Sequence, residues 1–378
     1  MKKVGIITFH NSYNCGSMLE TYAMQEIIKK GGLKAEIVNF SSPGQIELYN
    51  AWFKNNSLKN IIKNILIAPH INQIKKNNKK YIEFQKEKFN LSAFATNSKI
   101  LKDENYDTVI SGSDQIWNIT IDDYNDAYFL NWVKNAKKVA YSPSFGSKNI
   151  LKYSKNPDKY REFILDYNAV SVRENNGKKW IKDLTGLDVP VLLDPTLLLE
   201  KEKYEKLIAK DASEKGEYIF FYSPGFDNNI CKYIKNVANK YNMRVITWSS
   251  KHYYVKNIKK YGFDLPKYEN PEMYLYLIKN AKLIFTTSYH GTIFSTIFKK
   301  KFYTIKNGGM YGDDDRVITL LEQINLLDRL IPYEFDNNFN YMSEPDFTES
   351  DKNIVKLKKK SIKFLIDNVR GFKYEERK

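Results

Sequence analysis

The sequence predicts an α/β fold with two domains, each built on a parallel sheet, that face each other across a cleft. Short β-branched strands alternate with amphipathic helices along most of the chain, which is typical of open parallel sheets with helices on both faces. The chain has 378 residues, too many for one ordinary hydrophobic core. Ligands of such sheets bind beyond the carboxyl ends of the strands, so we expect the functional site in the cleft.

Residues 1–200 are predicted to form the first Rossmann-like domain. Its strands are interrupted at about residues 50–102, where Lys/Asn-rich helical periodicity predicts a helical insertion. An apolar stripe marks the clearest helix there, at Leu58, Ile61, Ile62, Ile65 and Leu66. The predicted strands are Val4–Phe9, Ala35–Phe40, Asp107–Ser111, Lys138–Ser142, Ala169–Arg173 and Val189–Leu193, and the first helix is Met18–Lys30.

Residues 201–335 repeat this alternation and are predicted to form a second Rossmann-like domain, followed by a C-terminal extension at 336–378. The predicted strands are Glu217–Ser223, Arg244–Ser249, Leu283–Thr287 and Phe302–Ile305. The predicted helices are Lys201–Lys210, Ile230–Tyr241, Glu272–Ala281, Thr292–Lys300, Asp314–Leu326 and, in the extension, Ser350–Val369.

The composition excludes several classes of function. The formal net charge is +16, but lysine supplies most of the excess, and no zinc-finger spacing, RNP-like aromatic strand or arginine-rich arm indicates nucleic-acid binding. Two widely separated cysteines fit a reduced protein. The amino-terminal residues read as a β-strand rather than a signal peptide, and no apolar run reaches membrane-spanning length. We therefore expect a cytoplasmic protein without a specific nucleic-acid partner.

A strand, a tight turn and a helix start meet at His290. The apolar run that ends at Thr287 is followed by Ser288 and by a His290–Gly291 pair that opens a predicted helix. The free N–H groups and the positive dipole end of a helix favour an anion there. The imidazole could bind a phosphate or carboxylate, or donate a proton beside one. A histidine that only caps its helix is an equally good interpretation of this motif alone.

Two loops after predicted strands carry polar side chains suited to a ligand. The loop at residues 10–17 has a glycine before its helix, as an ordinary strand-to-helix turn also would. The segment at residues 111–118 combines Asp, Gln, Trp and Asn, and this mixture of acceptors, donors and an aromatic face is typical of carbohydrate sites. A helix cap at Ser113 or Asp114 explains only part of it, so we favour a binding role.

Two further segments each admit two interpretations. Arg173, at the end of a predicted buried strand, could bind a carboxylate or phosphate through its fork, or pair with Glu174. The Asp313–Asp315 run could hold a divalent metal, but carboxylates in a first helical turn are more commonly caps. Arg316 poses the same choice as Arg173 between a ligand anchor and an ion pair.

Taken together, these segments resemble the polysaccharide pyruvyl transferase family over roughly residues 4–330. The Gly112–Asn118 string and the Ser288–Gly291 turn are the most specific matches. Cys15 and Glu20 stand where members often carry an aromatic residue and Gln. The other collinear matches are Asn14–Ser17 with Leu19, Tyr22 and Ala23, then Val172–Glu174, Leu193–Thr196, and Arg316 with Leu320, Leu321, Asp328 and Arg329.

The resemblance implies a GT-B-like pair of domains and an enzyme that moves the pyruvyl group of phosphoenolpyruvate onto two hydroxyls of a glycan sugar. The product would be a cyclic ketal in a surface or capsular polysaccharide or its lipid-linked precursor, with release of phosphate. No metal or cofactor is implied. The implied phosphoenolpyruvate ligands are Arg173, Ser288, His290, Gly291 and Arg316.

Catalytic roles follow from the same resemblance. His290 would be the general acid, and Asp114 would be the base or the orienter of an acceptor hydroxyl. The implied acceptor-sugar residues are Asn14, Gly16, Ser17, Ser113, Asp114, Gln115, Trp117 and Asn118.

Two other functions remain open. A GT-B glycosyltransferase would place a nucleotide-sugar diphosphate on the His290 helix, but the sequence shows no convincing pair of ribose carboxylate and base-stacking pocket. A basic module that docks residues 50–102 on a membrane surface is the non-enzymatic alternative, although this segment could equally grip the acceptor. If it contacts a membrane, removing the charges of Lys59, Lys63, Lys75 and Lys76 would weaken liposome binding.

Overall fold

Two parallel sheets form the cores of two domains in the computed structural model, which describes residues 2–306 and 315–373. In the first domain, helices pack their apolar residues against the sheet and contribute to the two hydrophobic clusters that contain its strand residues. The sheet consists of β1 (Lys3–Ile7), β2 (Lys34–Ile37), β3 (Thr108–Ser111), β4 (Lys137–Ala140) and β5 (Ala169–Val170), in the spatial order β2-β1-β3-β4-β5, with all pairs parallel.

The second domain contains a sheet of the same kind. All of its neighbouring strands are also parallel. Its strands are β6 (Tyr218–Tyr222), β7 (Arg244–Thr247), β8 (Phe263–Asp264), β9 (Leu283–Thr286), β10 (Phe302–Ile305) and β11 (Leu330–Ile331), in the order β11-β10-β9-β6-β7-β8. The predicted fold class, two parallel-sheet α/β domains, is confirmed.

The strand order reverses once in each sheet, and the predicted site residues flank those two points. In the first sheet the reversal lies between β1 and β3, so the loops that follow these strands diverge around a crevice. In the second sheet it lies between β6 and β9. The residues after β1 and β3 are the two polar loops, and those after β9 lead into the His290 helix. Sheet topology thus brings these segments towards the cleft.

Fourteen helices are assigned in the described residues. Short 3₁₀ turns occur between some of them. The helices are α1 (Cys15–Lys30), α2 (Pro43–Leu48), α3 (Leu58–Ile67), α4 (Ile71–Lys88), α5 (Ile150–Tyr153), α6 (Pro157–Leu165), α7 (Asn175–Thr185), α8 (Lys201–Glu205), α9 (Asn228–Lys240), α10 (Ser250–Val255), α11 (Pro271–Asn280), α12 (Tyr289–Ile297), α13 (Arg316–Gln323) and α14 (Thr348–Asn368).

The predicted helical insertion contains α3 and α4 and connects the two domains. Asn77 on α4 donates a hydrogen bond to Ser250 Oγ at 3.0 Å and accepts one from Glu269 N at 3.1 Å. The C-terminal extension returns to the first domain, where Ser361 on α14 accepts a hydrogen bond from Leu193 N at 3.2 Å. Both segments therefore hold the domains in place around the cleft.

Many predicted elements have other bounds in the structure; the helix predicted at Thr292–Lys300, for example, spans Tyr289–Ile297. Three further differences bear on the first domain and its boundary. The predicted strand Val189–Leu193 makes only an isolated bridge, between Val172 and Val191, because the neighbouring Pro190 has no N–H to extend a ladder. The predicted helix Lys201–Lys210 ends at Glu205. The last strand of the first sheet is two residues long and ends before Arg173.

Candidate active site

A helix that begins at Tyr289 carries the predicted anion site. β9 ends at Thr286, and Ser288 caps α12 by accepting a hydrogen bond from Gly291 N at 3.3 Å. A side chain at Gly291 would place its Cβ 2.3 Å from Thr286 Oγ1, so only glycine fits this turn. His290 is the second residue of the helix, and its side chain is buried. The predicted strand, turn and helix start are confirmed.

The amino ends of two helices from different domains meet at His290. Asn14 caps α1 by accepting a hydrogen bond from Gly16 N at 2.9 Å. The imidazole lies directly against this first turn, because a Cβ on Gly16 would be 2.3 Å from His290 Nδ1. Each helix start contributes N–H groups and the positive end of a dipole. The two together make this point of the cleft favourable for an anion.

Asp194 connects His290 to Arg173. Its Oδ2 atom lies 2.9 Å from Arg173 Nη1 and 3.4 Å from His290 Nε2, and all three side chains are buried. Oδ1 accepts hydrogen bonds from the amide and the hydroxyl of Thr196, at 3.0 and 2.6 Å. Burial alone would raise the pKa of Asp194, but the charges of His290 and Arg173 and the hydrogen bonds from Thr196 hold it well below its ordinary value. The ionised carboxylate therefore fixes both basic side chains.

Arg173 offers a partly unsatisfied guanidinium. Its Cζ lies 4.3 Å from the centre of the Tyr289 ring, and its Nη2 lies 3.5 Å from Asp114 Oδ1. Within the part of the chain that the structure describes, its Nε and Nη2 atoms have no hydrogen-bond partner. Such nitrogens are suited to bind a carboxylate or phosphate. The ion pairs of Arg173 are with Asp194 and Asp114, rather than with the neighbouring Glu174.

Asp114 stands between this buried cluster and an open pocket of about 390 Å³, which Ser17 and Gln115 also line. Ser17 Oγ donates a hydrogen bond to Asp114 Oδ2, and the main-chain N–H of Gln115 donates one to Asp114 Oδ1 at 2.7 Å. Burial favours a raised pKa for Asp114, but Arg173, His290 and these hydrogen bonds keep it below its ordinary value. At neutral pH, Asp114 is thus an ionised acceptor of hydrogen bonds.

The same pocket is lined by Asp123, which no sequence pattern singled out. Burial raises the pKa of Asp123 to about 6, and the charges of Asp114 and Asp122 add smaller contributions in the same direction. A backbone hydrogen bond lowers this pKa but does not outweigh the burial. Two carboxyl groups in one pocket therefore have pKa values displaced in opposite directions. Such a pair can divide the roles of hydrogen-bond acceptor and proton acceptor.

The residues predicted from the 112–118 segment do not all face the pocket. Gln115 lines it and accepts a hydrogen bond from Asn118 Nδ2 at 3.3 Å. Ser113 is fully buried and donates its hydroxyl to a main-chain carbonyl at 2.6 Å. The expectation for Trp117 is corrected, because its ring lies in the hydrophobic core, stacked on Phe129 with centroids 4.8 Å apart. An indole packed among aromatic rings has no face left for a sugar.

Glu20 supports the turn after β3 and was not assigned a role from the sequence. Its Oε1 atom accepts a hydrogen bond from Ser113 N at 2.7 Å, and its Oε2 atom lies 3.1 Å from Thr8 Oγ1. Burial and the charges of Asp194 and Asp114 raise the pKa of Glu20 well above its ordinary value, outweighing these hydrogen bonds. The raised pKa favours a protonated Glu20, which has one donor and one acceptor.

The start of α13 joins the second domain to the first close to the site. Asp315 Oδ2 accepts a hydrogen bond from Asn176 N at 2.9 Å. Arg316 is buried, and its charge is one of two that oppose the effect of burial on Glu174, whose pKa is raised to about 7. A role of Arg316 in ligand binding remains a prediction. The rest of the predicted Asp triad, residues 313–314, lies outside the described residues.

A second pocket, of about 240 Å³, adjoins the first and shares Asn14 and Tyr49 with it. Its lining comes from both domains and from the insertion, and includes the half-buried ring of Tyr13, which stacks on Tyr81. A ring beside amides and hydroxyls is a surface that sugar rings bind. Its other polar lining residues include Asn50, Asn77, Asn78, Ser249 and His252.

Residues 2–306 and 315–373 contain neither a metal-binding cluster nor a membrane-spanning helix. No three His, Cys, Asp or Glu side chains there are arranged to hold a metal ion. None of the helices in these ranges combines the length and the apolar character needed to cross a bilayer.

The fold and the site define a two-domain α/β protein with a buried cluster of Arg173, Asp194 and His290 where two helix starts converge. The chain belongs to the polysaccharide pyruvyl transferase family, whose profile matches residues 14–309. This range contains Asp114, Arg173, Asp194 and His290. A search of curated protein sequences gave no match.

The chain is similar in architecture to several solved structures at low sequence identity. S. aureus MnaA, in a co-structure with UDP, is 12% identical over 100% of both chains, with a TM-score of 0.49. The UDP-GlcNAc 2-epimerase from Neisseria meningitidis, bound to UDP-GlcNAc, is 12% identical over 95% of this chain and 100% of its own, with a TM-score of 0.46. E. coli heptosyltransferase WaaC with ADP-2-deoxy-2-fluoro heptose is 15% identical over 83% and 91%, with a TM-score of 0.38.

Proposed function

We propose that this protein is a cytoplasmic enzyme that transfers the pyruvyl group of phosphoenolpyruvate to two hydroxyls of a sugar in a surface polysaccharide or its lipid-linked precursor. The observation that carries the proposal is the pair of His290 and Arg173, held by Asp194 where two helix starts meet. Phosphoenolpyruvate bears a carboxylate and a phosphate on one carbon, so it requires several donors and positive charge in a small site. Family membership supports the transferase class and the polysaccharide acceptor.

The proposed reaction has two bond-forming steps. An acceptor hydroxyl gives its proton to a pocket carboxylate and its oxygen bonds to C2 of phosphoenolpyruvate, while the C2–C3 double bond takes a proton from His290 at C3, which becomes a methyl group; the carboxylate proton then restores His290. A second hydroxyl oxygen then displaces phosphate from C2, which closes the cyclic ketal, and the second hydroxyl proton leaves with the phosphate. No metal or cofactor takes part in this scheme. His290 is the proposed general acid at C3, while Arg173, Arg316 and the first turn of α12 bind the anion.

The two carboxyl groups of the pocket are given different roles. Asp114 is ionised and already accepts two hydrogen bonds, and its lowered pKa makes it a weak base. It is therefore proposed to orient the attacking hydroxyl. Asp123, with a pKa of about 6, is the better proton acceptor at neutral pH. Both residues line the pocket that reaches the buried cluster.

The acceptor glycan is proposed to occupy the two adjoining pockets. The reacting sugar lies beside Asp114 and Ser17, and the next sugar unit lies beside the Tyr13 ring in the second pocket. Gln115 lines the pocket and is proposed as a polar contact to the acceptor. Asn118, which donates a hydrogen bond to Gln115, is proposed as a second polar contact on the same side. Gly16 has a different role, because it makes room for the His290 ring.

Direct observation of the product tests this function. The purified protein is incubated with phosphoenolpyruvate and a panel of hexosides, N-acetylhexosaminides and lipid-linked oligosaccharides, and phosphate release is followed while the glycans are analysed by mass spectrometry. A pyruvyl ketal with equimolar phosphate supports the proposal. Transfer of a sugar from UDP- or GDP-hexoses to the same panel, with no reaction of phosphoenolpyruvate, would assign the glycosyltransferase function instead.

A further inference from the structure

Helix α3 is oriented with its apolar side towards solvent. The side that faces the protein is largely polar: Asn64 exchanges two hydrogen bonds with the main chain of Phe53, at 2.8 and 2.9 Å. The opposite side carries Leu58, Ile62 and Ile65, which are 80%, 58% and 66% exposed. A helix that only packs on its own domain buries its apolar stripe. The predicted stripe is therefore real, but it does not serve the core of this chain.

The exposed area is a continuous patch rather than scattered side chains. On α3, Ile61 and Leu66 flank the three most exposed residues and are themselves 42% and 46% exposed. Trp52, just before the helix, is also partly exposed. We call Trp52, Leu58, Ile61, Ile62, Ile65 and Leu66 the α3 face. Contiguous exposed apolar surface of this kind marks an interaction site.

The charge in the segment that carries the α3 face is predominantly positive. Residues 48–82 contain seven lysines and no Asp or Glu, and of these lysines Lys54 pairs with Glu47, and Lys79 and Lys80 pair with Glu83. Lys59 lies on α3 itself, and Lys75 is exposed at the start of α4. An apolar helix face bordered by lysines matches the boundary between the acyl chains and the headgroups of an anionic bilayer, with a Trp at the interface level.

A second copy of the chain fits this face poorly. A two-fold dimer through the α3 face would bring two such lysine-rich segments together, and like charges facing each other at an interface oppose association. An anionic lipid surface instead offers neutralising charge to every lysine. The complementarity of charge therefore favours a membrane over a self-contact.

The α3 face also borders the second pocket of the cleft. Lys251, which lines that pocket, donates a hydrogen bond to Asn50 O at 2.6 Å and lies 4.0 Å from the centre of the Phe53 ring. Phe53 is in turn held by α3 through Asn64. A membrane in contact with α3 would thus lie beside the entrance of the cleft.

We propose that the α3 face inserts into the headgroup region of an anionic lipid bilayer and holds the cleft at the membrane surface. This goes beyond the proposed reaction and does not depend on its donor. Docking there would present the cleft to substrates that are themselves anchored in lipid.

Vesicle co-sedimentation of the full chain tests the proposal. We expect the wild type to bind vesicles of equal parts phosphatidylglycerol and phosphatidylcholine, and to bind phosphatidylcholine alone weakly. The variant Leu58→Gln/Ile62→Gln/Ile65→Gln should lose about tenfold or more of the binding. Lys59→Gln/Lys75→Gln should weaken binding to the anionic vesicles several-fold and reduce its dependence on salt.

Matched controls separate this result from nonspecific hydrophobic adsorption and from misfolding. Val355→Gln/Ile366→Gln removes two apolar side chains that are similarly exposed on α14, and should leave vesicle binding unchanged. The circular dichroism spectrum and melting temperature of every variant should match the wild type, since only exposed atoms change. Absence of wild-type binding, or equal binding by the α3 triple variant, would overturn the proposal. So would a wild-type dimer that the triple variant converts to a monomer without any effect on vesicles.

Discussion

Asp194 and Arg173 form a fully buried ion pair in which Oδ2 and Nη1 are 2.9 Å apart, and the same Oδ2 atom also contacts His290. Because this carboxylate is shared, it sets the distance between the two groups proposed to bind and protonate the donor. Asp194 makes no contact with solvent and is therefore a positioning residue. The remaining Asp194 oxygen is held by Thr196, so the arrangement has little freedom to change.

We predict that Asp194→Asn lowers the free energy of unfolding by about 3 kcal/mol, because the buried guanidinium of Arg173 loses the nearer of its two charge partners. Turnover should fall by about a hundredfold, since His290 and Arg173 lose their common anchor. Urea denaturation and phosphate release measure the two effects. Near-wild-type turnover in this variant would contradict the positioning role.

The pH dependence of stability provides a second readout for Asp194. Its folded pKa lies below the unfolded value of about 3.9, so its stabilisation is present above that value and is lost as the pH falls towards the folded pKa. The wild type should therefore lose more stability than Asp194→Asn between about pH 5 and pH 2. Parallel curves for the two proteins would show that the charge of Asp194 is unimportant.

Gly16→Ala is predicted to abolish most activity through His290. Its Cβ would fall 2.3 Å from His290 Nδ1, so the ring must move away from Asp194. Turnover should drop by about a hundredfold, while the far-ultraviolet circular dichroism spectrum stays native. The double variant with His290→Ala should be no worse than His290→Ala alone. Additive losses would mean that Gly16 acts elsewhere.

Glu20→Gln is predicted to be nearly neutral, because burial and the charges of Asp194 and Asp114 raise the pKa of Glu20 and so favour its uncharged form. The site needs one acceptor for Ser113 N and one partner for Thr8 Oγ1, which can also donate to Ser113 O. Glutamine supplies both, so turnover and melting temperature should stay within about twofold and two degrees. Glu20→Ala leaves the Ser113 amide buried without its acceptor and should lose at least about 1 kcal/mol of stability. A large loss in Glu20→Gln would show that a negative charge is required.

Asp123 should determine the acidic side of the pH–rate profile. A base with a pKa of about 6 is protonated and inactive below that pH, so turnover should rise through about pH 6 and then level off. In Asp123→Asn the rise should disappear and the plateau should fall by about a hundredfold or more. Asp122→Asn, a neighbour in the same pocket, is the matched control and should retain the rise. A rise that persists unchanged in Asp123→Asn would assign it to another group.

Local sequence pattern was sufficient for most of the fold. The strand Phe302–Ile305 was predicted to the residue, because its four apolar or β-branched residues are bounded by Lys301 and Lys306. The stretch Val189–Leu193 is also apolar, but it contains Pro190 and pairs through a single bridge. An apolar run therefore predicts a strand only where each residue can join a ladder of hydrogen bonds.

The candidate site was predicted only in part. The His290 turn and Arg173 were visible because each combines a local motif with a distinctive side chain. The direction of the Trp117 ring depends on how the loop turns after Asp114, where φ is 71°, so its burial could not be read from neighbouring residues. The raised pKa of Asp123 arises from burial by distant segments and has no local signature at all.

The most direct test of the central claim is the thermal stability of the purified protein with phosphoenolpyruvate, compared with UDP, GDP and UDP-sugars. A ligand at about a hundred times its Kd stabilises the native state by about 2.7 kcal/mol. We predict a shift with phosphoenolpyruvate alone, lost in His290→Gln and in Arg173→Lys but retained in Asp123→Asn. A shift with nucleotides and none with phosphoenolpyruvate would contradict pyruvyl transfer and assign the cleft to a nucleotide sugar.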